Sequence, residues 1–133
     1  MSGLILKLKP NEEVLINGVV VQNGERKTRL RVKTSGAAIL RLRDAIRPED
    51  ATTPEARAYY IAQLAVTGEI EEAKAGDILT EALSFLERKY GEGPVAEIVS
   101  AAKEELKNQR YYGVMRRLAE LVRPRVAPRA AAS

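Results

Sequence analysis

Arg29, Arg31 and Lys33 stand at every second position of the stretch NGERKTRLRVK, residues 23–33, with Leu30 and Val32 between them and Arg26 and Lys27 just before. Successive side chains of a strand point to opposite faces, so this spacing makes one apolar face and one cationic face. The chemistry open to the cationic face is neutralisation of a polyanion, for which the planar guanidinium fork suits phosphates and base edges better than a lysine does. Lys7 and Lys9 in LILKLKP, and Arg41 and Arg43 in ILRLRD, extend the same set. Between residues 24 and 47, eight cations (those named from Arg26 onward, plus Arg47) are opposed only by Glu25 and Asp44. The plainer reading is that they solubilise the open face of a half-buried sheet.

Other chemistries are scarce. The sequence contains neither cysteine nor histidine, which removes disulfides, thiolate nucleophiles, thiolate or imidazole metal ligands and histidine-based acid–base pairs. Glu71-Glu72 and Glu104-Glu105 are neighbours in helix-like stretches, where adjacent side chains diverge by about 100°. They read as solvated faces, and we expect no enzyme, no metal and no cofactor. The net charge of +4 hides three blocks. Residues 1–50 carry ten Lys or Arg against six Asp or Glu, residues 51–109 six against eleven, and residues 110–133 six against one. Basic ends around an acidic middle imply one surface that attracts a polyanion and another that repels it or engages a basic partner.

The elements that must position these charges follow from periodicity and turn residues. Leu4, Leu6 and Leu8 alternate with Ile5, Lys7 and Lys9, and Pro10-Asn11 ends that first strand. Val14 to Val21 is rich in β-branched residues and is interrupted by Asn17-Gly18, a tight hairpin turn or a bulge. Asn23-Gly24 leads into the cationic strand, Gly36 marks another turn, and Ala38 to Leu42 forms a last short strand. Leu4, Leu6, Leu8, Val14, Ile16, Val20, Leu30, Val32, Ile39 and Leu42 compete for the interior. At Arg47-Pro48 the character changes. Thr53 as cap and Pro54 at the first position start a helix that Gly68 stops. A second helix runs from Ile70 to Tyr90, weakened by Gly76, with Leu79, Leu83, Leu86 and Tyr90 on one stripe and Ile78, Ala82 and Phe85 beside it. Pro94 opens a third, with Val95, Ile98, Val99, Ala102 and Leu106 in phase. A break near Asn108 to Gly113 precedes a fourth, Tyr112 to Val122, and all these stripes read as core.

The fold class is therefore α+β: a small N-terminal antiparallel sheet or partly closed barrel, then a bundle of three to four helices. At 133 residues this is one folding unit with two regions. They are a β region over 1–47 and a helical region over 53–122, with 123–133 as a disordered basic tail or hook. No signal-peptide pattern and no membrane-length apolar run is present, so we expect a cytoplasmic protein without a membrane partner. So small a sheet has edges and apolar surface to cover, which favours a homodimer.

Taken in order, LILKLKPNEEVLINGVVVQNG, then ILRLRDAI with a Pro-containing acidic loop, then YYIAQL, then YYGVMRRLAELV resemble the FlbT family of flagellin regulators over residues 3–122. The resemblance implies a post-transcriptional repressor that binds the 5′ untranslated leader of flagellin mRNA, lowers its translation and lifetime, and is opposed by the small protein FlaF. Gly113 to Arg117 departs from the helix-favouring, Ala-containing segment expected there. A shorter similarity is to the carbon storage regulator family of RNA-binding β dimers. Leu4-Ile5-Leu6, Glu12 and Ile16 match its opening, with Asn11 in place of its glycine, and the similarity implies RNA contacts at Leu4 and Arg43. The cationic pattern and these resemblances together give the expected RNA-binding set: Leu4, Lys7, Lys9, Arg26, Lys27, Arg29, Arg31, Lys33, Arg41 and Arg43. The β region has no Phe, Tyr or Trp, so base stacking must come from Arg planes or be absent. The rival reading is an adaptor whose acidic helices, with Glu69, Glu71, Glu72, Glu81 and Glu87, bind FlaF or flagellin, any RNA effect being indirect.

Overall fold

The computed structural model describes residues 4–17 and 19–122; the expected tail, and Gly18 of the Asn17-Gly18 turn, lie outside the described residues. Five strands come first: β1 (Leu4–Leu8), β2 (Glu13–Ile16), β3 (Val19–Gln22), β4 (Thr28–Val32) and β5 (Ile39–Arg41). Four helices follow: α1 (Pro54–Val66), α2 (Glu72–Tyr90), α3 (Pro94–Lys107) and α4 (Tyr111–Val122). The class is α+β, as the sequence predicts.

The sheet is where expectation and structure part. The strands form two open antiparallel sheets, β1–β4 and β3–β2–β5, and no barrel closes among the described residues. The register gives the reason. β1 pairs β4 from Leu4↔Val32 to Leu8↔Thr28, and β2 pairs β3 from Glu13↔Gln22 to Ile16↔Val19. Four residues on one side (9–12) and five on the other (23–27) join these ladders, so the two sheets are one long hairpin with an extra residue at its middle. Such a bulge bends the ladder. Asn11, at φ 64°, takes up the turn, and Asn23 Nδ2 donates to the Lys9 carbonyl at 2.8 Å and to the Arg26 carbonyl at 2.9 Å, clasping the bend. At the far end, Asn17 at φ 52° begins the two-residue turn between Ile16 and Val19.

The bend gives the β region a small core of its own, Leu6, Leu8 and Val14, with Ile16, Val21, Val32 and Ile39 packed around it. Leu4, Leu30 and Val20, expected inside, are exposed. Leu4 and Leu30 share the ribbon face of Leu6 but extend past what Val14 covers, and Val20 lies on the other face of β3. Leu40 and Ile46 take the buried places instead. With Leu15, opposite Leu40, they join the main core built by the helices. The last strand is also shorter than expected, because Leu42 and Arg43 turn into a 3-10 turn over Leu42–Asp44.

The helix boundaries follow their local signals. Thr53 Oγ1 accepts from the Ala56 N–H at 3.0 Å, capping α1, and α3 begins on Pro94. α2 starts at Glu72, two residues later than the pattern suggests, because Ile70 is drawn onto the helical core from the preceding turn. Leu79, Leu83 and Leu86 of α2, Val99 and Ala102 of α3, and Val114, Met115 and Leu118 of α4 are buried together. Ile78 and Phe85, expected as core beside that stripe, are exposed. Gly76 has a tertiary role: a Cβ there would stand 3.1 Å from the Tyr111 hydroxyl, which donates to the Glu72 carbonyl at 2.9 Å and docks the start of α4 on α2.

Two polar clamps join the regions. Gln63 of α1 accepts from the Ile46 N–H at 2.8 Å and donates to the Ile46 carbonyl at 3.0 Å, satisfying a buried piece of connecting chain as a neighbouring strand would. Tyr59 donates to the Asp44 carbonyl at 2.6 Å, and its burial, with the charge of Asp44, pushes the hydroxyl pKa up to about 12.

Candidate functional site

Cross-strand register assembles the cationic face. Lys7 stands opposite Arg29 and Ile5 opposite Arg31, so Lys7, Arg29 and Arg31 share one face of the β1–β4 ribbon while Leu4, Leu6 and Leu8 share the other. The three cations are exposed, and none of them has a carboxylate partner among the described residues. Like charges directly opposite one another cost a sheet roughly 0.2–1 kcal/mol. A bound polyanion would relieve that repulsion. Lys9, Arg26 and Lys27 are exposed at the bend beyond one end of the ribbon, and Lys33 is exposed just past the other.

Three residues of the expected set stand apart. Leu4 projects from the apolar side of the ribbon. Arg43 sits on the 3-10 turn, where its charge helps hold the Glu12 carboxyl in its ionised form. Arg41 is committed to the fold: its Nη1 lies 2.7 Å from Glu12 Oε2, and its Nη2 donates to the Lys7 carbonyl at 3.2 Å. This pair fastens the ribbon to the second sheet. Burial alone would raise the Glu12 pKa, but the Lys9 N–H and Arg41 hydrogen bonds and the two arginine charges hold it below the ordinary value. The charge count of the segment cannot separate Arg41 from Arg29. The difference is that Arg41 has an acid, Glu12, at ion-pair distance across the fold, whereas Arg29 has none among the described residues. Ile5, 42% exposed among the cations, is the residue the charge argument leaves out; its parity with Lys7 is the signal that places it there.

The helical region presents a different arrangement, in which three acids are held by cations of other segments. Glu55 at the start of α1 accepts from Lys89 Nζ at 2.9 Å and from the Tyr90 hydroxyl, and Lys89 lies over the Tyr90 ring. Burial pushes the Glu55 carboxyl up, and those two donors bring it below the ordinary range. Glu105, expected on a solvated face, is held by Arg110 at 2.7 Å and Arg117 at 3.2 Å, and both cations lower its pKa. That cluster crowds the glycine in YYGVMRR: a Cβ on Gly113 would press on the Glu105 carboxyl. Of the acids expected to receive a partner, Glu87 is paired with Lys103 at 2.7 Å, and Glu69, Glu71, Glu72 and Glu81 are exposed. Between α1 and α2 runs a shallow apolar groove lined by Arg57, Tyr60, Ile61, Ile78, Ala82 and Phe85. No group of three or more acidic side chains able to hold a metal ion occurs among the described residues, and no described helix is long and apolar enough to cross a membrane.

The chain has relatives among known proteins. The probable flagellum biosynthesis repressor protein FlbT of Caulobacter sp. strain K31 is 30% identical over 113 residues, which cover 84% of this chain and 86% of the relative. The flagellum biosynthesis repressor protein FlbT of Caulobacter vibrioides strain ATCC 19089 is 38% identical over 71 residues, about half of each chain. A probable FlbT of Bradyrhizobium diazoefficiens strain USDA 110 is 36% identical over 62 residues, 47% of this chain and 42% of the relative. No solved structure matches the chain. The family model of the flagellar protein FlbT matches residues 4–124, through both sheets and all four helices; the chain belongs to the FlbT family.

Proposed function

We propose that this protein represses flagellum biosynthesis after transcription, by binding the 5′ leader of flagellin mRNA through the cationic face of the β1–β4 ribbon and so lowering translation and message lifetime. The observation that carries this reading is the set Lys7, Arg29 and Arg31, aligned by register on one face and without carboxylate partners among the described residues. Relatives named as flagellum biosynthesis repressors support the biological side of it. Without aromatic residues in the ribbon, recognition rests on phosphate pairing and on arginine planes laid against exposed bases.

The test is binding of the pure protein to a flagellin leader and to a scrambled RNA of equal length across a salt series, with a Lys7/Arg29/Arg31→Ala variant alongside. Leader-preferring binding is expected, and loss of three phosphate contacts flattens the log–log salt slope by about 2 for single-stranded RNA. Equal and weak binding to both RNAs, unchanged in the variant, overturns the proposal. It would favour the second reading, an adaptor acting through FlaF or flagellin, for which the exposed Ile78 and Phe85 in the α1–α2 groove speak.

A further inference from the structure

β3 is an outer strand of the three-stranded sheet, and its residues are Val19, Val20, Val21 and Gln22. Its hydrogen-bonding parity can be read from the register. Ile16 and Val19 close a two-residue turn, so they exchange both of their backbone bonds, and Val14 with Val21 does so two residues on. The Asn23 N–H donates to the Glu12 carbonyl at 2.8 Å, in the same phase. Val20 and Gln22 therefore turn their N–H and C=O groups outward, to the edge that no described strand pairs. Val19 is 61% and Val20 55% exposed.

Open edges are normally blunted by charge, proline or a covering element. The other outer strands of this molecule are charged: β1 carries Lys7, β4 carries Arg29 and Arg31, and β5 carries Arg41. These charges oppose pairing with a copy of the same strand most directly on β4, where an antiparallel axis at Leu30 sets Arg29 against Arg31. β3 has no charge and no proline, and three of its four residues are β-branched, the type that packs best on a pleated surface. Its sequence is also self-matching when run antiparallel about Val21, since each outward-facing Val20 then meets an outward-facing Gln22 and two pairs of backbone bonds form.

We propose that two copies of the chain join edge to edge through β3, antiparallel about a two-fold axis at Val21, into a six-stranded sheet β5–β2–β3–β3–β2–β5. The axis of such a pairing stands perpendicular to the sheet, so what lies on one face in one copy lies on the same face in the other. Both β1–β4 ribbons, packed by Leu6 and Leu8 against the Val14 face, come to one side, and both helical regions, packed on the Leu15 and Leu40 face, come to the opposite side. The dimer thus doubles the cationic surface without setting the two ribbons against each other. It does not depend on which polyanion, if any, that surface takes.

The chain lacks cysteine, so a single introduced thiol reports the axis directly. At Val21 the two copies form a pair without mutual backbone bonds, with Cα atoms about 4.5 Å apart, within disulfide reach. Under mild oxidation Val21→Cys should give a covalent dimer in high yield, whereas Thr52→Cys, exposed on the connecting loop, should give little. The unmodified protein should have twice its chain mass in analytical ultracentrifugation. Val20→Pro, which removes only an outward N–H, should halve the mass while circular dichroism keeps its helical signal. A monomer at every concentration, with the Val21→Cys variant cross-linking no faster than the Thr52→Cys variant, overturns the proposal. So does a dimer that survives Val20→Pro and leaves the Val21→Cys variant unlinked.

Discussion

The β region and the helical region solve the problem of stability in opposite ways. The helices bury Leu79, Leu83, Leu86, Val99, Val114 and Leu118 completely and hold three of their acids in ion pairs, Glu55 with Lys89, Glu87 with Lys103 and Glu105 with two arginines. The β region buries three side chains in a core of its own and leaves Lys7, Arg29 and Arg31 beside one another without carboxylate partners among the described residues. A core that small cannot stabilise a folded hairpin alone. It borrows stability from the helices through Leu15, Leu40 and Ile46, and that support lets the ribbon carry charges that work against its own pairing. One region supplies most of the core, and the other carries exposed charge that the core does not need.

The sharpest way to break this contrast is a cavity in each core. Leu83→Ala should cost about 2–5 kcal/mol, near the top of the range because its neighbours are fully buried, and should melt both regions in one denaturant transition. Leu6→Ala should cost about 2 kcal/mol, because Val32 and Ile39, only partly buried, can settle into the space. Equal losses at the two sites would mean that the β core is no weaker than the helical one. Next in size is the clamp between the regions. Gln63→Leu leaves the buried N–H and C=O of Ile46 without partners, at about 1–3 kcal/mol each. Hydrogen exchange should then show the β region opening before the helices; if the two still open together, the clamp is not what couples them.

A smaller effect comes from titration of the paired groups. The Glu55 pKa is depressed in the fold, so its contribution is complete above the ordinary value of 4.5 and is lost as pH falls below it. Glu55→Gln should lower stability at neutral pH by about 1–2 kcal/mol and flatten the acid limb of the stability curve. Tyr59 is raised instead, so its contribution is complete below 10 and is lost as pH rises toward about 12. Tyr59→Phe should flatten the alkaline limb, read by thermal melts across pH. Smallest of all is the ribbon: Lys7/Arg29/Arg31→Ala should leave the melting temperature unchanged or slightly raised, since it removes a like-charge pair. A marked fall would give those residues a part in the fold that their exposure argues against.

Much of the architecture is local enough to be legible in the sequence. A cap or a turn is set by hydrogen bonds between residues a few positions apart, which is why Thr53-Pro54, Pro94 and Asn17 mark their element ends and why the alternation from Leu4 to Lys9 marks β1. Alternation also assigned Lys7, Arg29 and Arg31 to polar faces, since it reports which residues share a side. It does not report what covers that side. Whether Leu4, Val20, Ile78 and Phe85 are buried depends on how far a neighbouring layer reaches. Whether Arg41 is free or fastened depends on Glu12, 29 positions away in the chain. The single extra residue at the bend turned one expected sheet into two, and Gly113 acquired its reason only when α4 was laid against Glu105. Elements, their order and their faces are thus written in neighbouring residues; which faces meet is settled in three dimensions, by residues distant in the chain and close only in the fold.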